Sequence, residues 1–414
     1  MAPVSRKSIV TTTLLIAVIL FLGWRFLRPI NIFVVSEAFE RPIPTDQIPA
    51  LFKTLSAQEC AVCHREFFDE WKTTIHNRAW TDPYFQADWL FDRSQQVCKN
   101  CHIPLDAQQE QLVMGFRDRE KWEPILAPNP DFDPGLQHEG VTCAACHFRE
   151  GKILGPFGSE SAPHPVKKMD NPNRVCVRCH VVTGERWDAF FRFPPCGTVA
   201  EIKSTRAEHG DGSGEEVADD LAGINCVDCH MPLVERPLVP GGEVRQSRRH
   251  WWRGGHDPEM VRSGLKIGLE EETTSSSGKR RFTLTLTNVG AAHYLPTGTP
   301  DRHLTVALRL RDKKGNILNE VRHTLKRTLM WRPFIIDLWD TRLAYREPRS
   351  YSLEFSVDSD PKPEVLEAVV RYHLLDEKRR QRIGYDNKEP IAYDVYRKRL
   401  SIMGSAHEKE KIVR

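Results

Sequence analysis

Five copies of one pentapeptide constrain this 414-residue chain more than any other feature. They are Cys60-Ala-Val-Cys63-His64, Cys98-Lys-Asn-Cys101-His102, Cys143-Ala-Ala-Cys146-His147, Cys176-Val-Arg-Cys179-His180 and Cys226-Val-Asp-Cys229-His230. With 11 cysteines and 16 histidines in the chain, chance placement gives on the order of 0.01 such motifs. Five are a signature of covalently attached c-type haem. The turn between the cysteines presents two thiols at the separation of two vinyl groups, and the next histidine falls beneath the iron as its proximal ligand. A thiol redox motif needs only one copy, and structural zinc pairs two Cys-x-x-Cys units without requiring a histidine after each. The sequence thus predicts five haems c, held by the ten cysteines, with His64, His102, His147, His180 and His230 on the irons.

Composition narrows the class. Hydrophobic residues are 40% and charged residues 28% of the chain, which excludes disorder, a collagen-like fold and a polytopic membrane protein. Lys plus Arg is 59 against 56 Asp plus Glu, a net charge of +3, too balanced for nucleic-acid binding through bulk charge.

Covalent haem attachment implies export, and the N-terminus agrees. Behind Arg6 and Lys7 runs the apolar stretch Ile9 to Trp24, closed by Arg25, Arg28 and Pro29 and followed by a second apolar stretch, Ile30 to Val35. As a helix the first stretch spans about 24 Å, a little short of a bilayer core, which snorkelling cations can make up. No small-x-small cleavage site ends it, so an uncleaved signal anchor is expected. The implied location is the periplasmic side of a bacterial inner membrane.

The organisation expected is α+β. Residues 1–35 are the anchor and transmembrane helix, 36–50 a linker, 51–262 a pentahaem cytochrome c domain of short helices and loops, 263–403 a β-sandwich and 404–414 a charged tail. The sandwich rests on period-two alternation in Phe282 to Thr287, Leu304 to Leu310, Ser350 to Val357 and Ala368 to His373, with Lys313 to Asn316 as a hairpin turn.

Eleven histidines remain for the distal positions, and the seven methionines show no repeated context, so two axial histidines are expected on most irons. Glu66 to Trp80 reads as helix, which separates His64 from His76 by about 18 Å along its axis. His76 would then cap a haem other than the first; its alternative is a surface helix histidine. The segment Arg245 to His256 carries His250, His256 and four arginines beside two tryptophans. It suits capping the fifth haem through His250 while pairing haem propionates; a basic surface turn and an anion-steering pocket are the alternatives. His209 is left for the third haem, in the Gly-rich acidic loop Glu208 to Glu216. His293, in Asn288 to Gly298, could reach a haem from the β region or merely pack locally. Cys196 is the odd cysteine, read as an inert thiol, with an intermolecular disulfide or an unusual ligand as alternatives.

The stretch Cys60 to Trp80, with Trp71 and Thr74-Ile-His76 followed by Ala79, resembles the opening of the tetrahaem cytochrome c that accepts electrons from hydroxylamine oxidoreductase. Glu139 to His147 and Arg174 to Trp187 are similar to that family's third and fourth motifs, so the resemblance covers about Ser56 to Trp187. It implies that His76 caps the fourth haem, that His164 caps the first and that the second haem lacks a distal protein ligand. The chain departs from the family by a fifth motif, by its β region and by His138, which could fill the second haem's open place or sit exposed in a loop. The ending Cys229-His-Met-Pro232 is similar to motifs in pentahaem nitrite reductases and octahaem relatives.

The function expected is an anchored periplasmic cytochrome relaying electrons from a quinol- or enzyme-side donor to a periplasmic acceptor, with no catalytic residues assigned. The rival is a multihaem oxidoreductase acting on a small nitrogen or sulfur compound at a five-coordinate haem. A third possibility, that the β region docks the chain into a larger complex, is compatible with the first.

Overall fold

The computed structural model describes residues 6–27, 40–119, 121–158, 161–180, 189–190, 197–208, 224–274, 278–356 and 358–402. Expectations placed on His209, Cys196, most of Glu208 to Glu216, Ile30 to Val35 and the tail fall outside them. The chain is mixed α and β. The helix Arg6–Leu27 comes first; short helices and small sheets follow as far as Ser263, and beyond it lie two larger antiparallel sheets, a short hairpin that pairs with residues 189–190, and one short helix. Arg6–Leu27 is long and apolar enough to cross a membrane, and its only buried side chain is Arg25.

Between the haem motifs, local chemistry sets where helices begin. Asp82, Asp133 and Asp257 each precede a proline and accept hydrogen bonds from backbone N–H groups of the first turn, starting Pro83–Phe91, Pro134–Gln137 and Pro258–Ser263. Proline presets the helical φ where its missing N–H costs nothing, and the carboxylate satisfies free donors. The helix expected over Glu66 to Trp80 is shorter. It runs Arg65–Trp71, after which Thr73 and Thr74 bond back to the carbonyls of Glu70 (2.8 Å) and Trp71 (2.6 Å) and the chain continues in turns. Side-chain hydroxyls competing for helix carbonyls, in a β-branched run, end it. The axial spacing of His64 and His76 therefore does not apply.

In the C-terminal region, one sheet has the order Pro348–Ser356, Lys279–Asn288, Leu265–Thr274, and the other Ile317–Leu325, His303–Arg311, Val365–His373, Ala392–Ser401. Phe282, Leu284 and Leu286 alternate inward, while Thr283 and Thr285 pair with Ser352 (2.9 Å) and Ser350 (2.8 Å) outside. Leu304, Val306, Leu308, Leu366 and Val370 of the other sheet meet the same core. At the hairpin, Asp312 accepts from the N–H groups of Lys314 and Asn316, both at 2.8 Å, and Gly315 takes φ +85°. The two regions are joined by a buried ion pair, Arg342 to Glu201 at 2.6 Å, and by Thr198 with Thr297 at 2.9 Å.

Candidate haem-binding site

Each motif sits in or beside a short helix: Ala57–Ala61 with His64 capping Arg65–Trp71, then Gln96–His102, Cys143–His147, Asn173–His180 and Cys226–His230. No disulfide joins the ten motif cysteines. Thiols of different motifs stand beside one another: Cys60 near Cys143, Cys101 near Cys179 and Cys176 near Cys226. The first motif therefore neighbours the third, the second neighbours the fourth, and the fourth neighbours the fifth.

Four of the five motif histidines are oriented by backbone carbonyls. Nδ1–H of His64 donates to Leu238 O (2.9 Å), that of His102 to Ala79 O (2.6 Å), that of His147 to Leu154 O (2.6 Å) and that of His230 to Arg253 O (2.6 Å). A carbonyl can only accept, so the proton belongs on Nδ1 and the Nε2 lone pair is free for a metal. Burial pushes His102, His147 and His180 below the ordinary histidine range, keeping them neutral as ligands must be. Free paired thiols next to neutral imidazoles with an unused Nε2 fit covalently bound haem c.

Other imidazoles face these. His76 stands 6.4 Å from His180 and His250 6.0 Å from His147, ring centre to ring centre. Two metal–imidazole bonds of about 2 Å each, plus the ring radii, give about 6 Å, so each pair has room for one iron between its rings. Burial, helped by the neighbouring motif histidine, lowers His76 to about 3 and His250 to about 4. Burial lowers His164, and it lowers His293 to about 4. Nδ1–H of His293 donates to Tyr294 O at 2.9 Å, the orientation shared by the motif histidines.

Two expected placements change. His250 faces the third motif, not the fifth. Glu70 is the cause: buried to 8% exposure, it receives Arg236 at 2.8 and 2.9 Å, Arg249 at 2.7 Å and the backbone N–H of His250 at 2.8 Å. Burial alone would raise its carboxyl; Arg236, the His250 N–H and Arg249 outweigh that and hold it below the usual carboxylate range. Arg245, Arg248 and Arg249, expected on propionates, have protein partners in Glu243, Asp228 and Glu70. The structure also does not bring His138 to the second motif. It is exposed, its Nδ1 bonds Pro134 O at 2.7 Å, and it lines a surface cleft beside Trp71 and Glu139, because Asp133 turns its segment into the one-turn helix Pro134–Gln137. Among the described residues no imidazole ring faces His102; Phe85 stacks on it at 3.5 Å.

Glu70 and Arg236 carry no sequence signal, being separated by 166 residues. Gly140 is another such residue. At φ +62°, a Cβ there would stand 2.7 Å from His76 O and 2.8 Å from Asn77 O, so only glycine allows this approach. Val141 N–H donates to His76 O at 2.9 Å beside it.

Residues 59–123, which contain the first two motifs, match the family model described as cytochrome c554 and c-prime. No curated protein matches the chain. Among solved structures, a penta-heme cytochrome c552 from Thermochromatium tepidum superposes with a TM-score of 0.61 at 18% identity, covering 84% of this chain and 99% of its own. A structural genomics target, SoR45, aligns at 14% identity over 36% of this chain and 96% of its own, but its TM-score of 0.18 carries no argument. The motifs, the local family match and the fold together support a multihaem cytochrome c.

Proposed function

We propose that this is an electron-transfer protein with five haems c, anchored by Arg6–Leu27 and exposing its haem region and a C-terminal β-sandwich to the periplasm. His164 with His64, His250 with His147, His76 with His180 and His293 with His230 would hold the first, third, fourth and fifth haems. The observation that carries this reading is the pair of facing imidazoles at 6.0 and 6.4 Å. When bound, haem c supplies a one-electron iron couple at each site. The chain's own residues fix the imidazole tautomers through backbone carbonyls and place His250 through Glu70. Holding each of these haems between two histidines would favour passing an electron over binding a substrate. A quinol- or enzyme-side donor and a periplasmic acceptor complete the role.

One observation favours a second reading. His102 has no facing imidazole among the described residues, which suits a five-coordinate second iron and redox chemistry on a small nitrogen or sulfur compound. Electron paramagnetic resonance of the oxidised protein separates the two. Four low-spin signals and one high-spin signal are expected. A high-spin signal that shifts with nitrite or hydroxylamine favours the oxidoreductase, and the loss of two or more low-spin signals removes the relay. A mass short of five haem additions removes both.

A further inference from the structure

The hairpin formed by Arg327–Met330 and Ile335–Asp340 reverses the usual distribution of side chains. Its charge points inward: Asp337 accepts two hydrogen bonds, at 2.8 and 2.9 Å, from Arg327, which is almost fully buried, and Ile335 is buried on the same side. Strand alternation puts Phe334, Ile336 and Leu338 on the other face. The register skips Leu338 between the pairs Leu329–Asp337 and Thr328–Trp339, so a bulge turns Trp339 out beside it. Leu338 is 46% and Trp339 57% exposed. The same face meets the end of the apolar helix. Phe334 lies 6.4 Å from Phe21 and under the Arg25 guanidinium at 5.6 Å, and Arg332 donates to Phe26 O.

From this continuity we propose that the hairpin docks on the lipid bilayer in the headgroup region where the helix emerges, so that the haem region is held at a fixed orientation and does not swing on its anchor. Trp and Arg at the end of a spanning helix favour that depth, with their apolar bodies in lipid and their polar groups in water. Ile335 and Ile336 pair in parallel with Ala189 and Phe190, in the segment that follows the fourth motif, so docking would turn that part of the haem region toward the membrane. The proposal rests on the anchor reading above.

The test uses the full chain in oriented bilayers of phosphatidylethanolamine and phosphatidylglycerol. Angle-dependent paramagnetic resonance of the haems should be strong in the natural protein. It should be lost in Leu338→Glu/Trp339→Glu, while carbonate washing releases neither and the solution spectrum is unchanged. Persistence of the angular dependence in that variant overturns docking. The milder Leu338→Ser/Trp339→Ser repeats the comparison if the first variant loses its haem spectrum. Release of the natural protein by carbonate overturns the anchor instead. The hairpin is then judged by binding to vesicles of the same lipids at neutral pH, which the variant should weaken at least tenfold; equal binding overturns the proposal.

Discussion

The two halves of the molecule are held together by different means. In the C-terminal sheets one cluster gathers nineteen buried residues, from Val261 to Ile402. Among the described residues of the haem region the buried apolar side chains fall into separate groups of seven, four and three, around Phe148, Trp71 and Ile202. Burial of apolar surface is the main favourable term in folding. The sheets therefore share one continuous apolar core, whereas the apolar burial of the haem region is divided among small clusters.

The strongest way to break this contrast is to prevent haem attachment by replacing the ten motif cysteines with alanine. Amide protection over residues 40–263 should vanish while that over 278–356 persists, as read by hydrogen exchange; loss of both together would show that the halves fold as one. Next, Arg342→Met strands Glu201 in the joint. Removing one partner of a buried ion pair costs about 3–5 kcal/mol, measurable by denaturant unfolding, and the cost should fall on the contact between the halves. Leu308→Ala, at a site 1% exposed, should cost about 2–5 kcal/mol and leave the haem spectrum unchanged. Glu70→Gln should loosen the facing of His250 and His147, converting part of the third site to high spin while the other signals stay.

The smallest effect is a pH slope. Glu367, fully buried, lies among Arg309, Arg311, Arg397 and Arg399. Burial alone would raise its carboxyl, but the guanidiniums of Arg311 and Arg399 prevail and hold it at about 2. A folded pKa below the unfolded one stabilises above the unfolded value, and that contribution disappears as pH falls toward the folded value. The sheets should therefore lose stability between about pH 4.5 and 2, and Glu367→Gln should flatten the slope in acid-unfolding curves. An unchanged slope would assign acid sensitivity elsewhere.

What the sequence displays follows the range of the interactions involved. The five motifs and their proximal histidines are contiguous in the chain, and the inner strand Lys279–Asn288 and the edge strand Pro348–Ser356 alternate. The other three edge strands, Leu265–Thr274, Ile317–Leu325 and Ala392–Ser401, do not. Their charged residues, such as Glu270 to Glu272 and Arg397 to Arg399, guard open edges and dilute the period. Distal ligation is harder still to read. His250 reaches the third motif only because Glu70, 180 residues away, fixes its backbone, and His293 approaches the fifth motif from the other half of the molecule. Neither relation leaves a local pattern.

The loop from His76 to Ala79 behaves as a gauge block. Its first side chain faces His180, its last carbonyl aligns His102, and its backbone is pressed against Gly140 just ahead of Cys143. The second, third and fourth motifs thus share one mechanical reference, and a displacement there would move all three as a set.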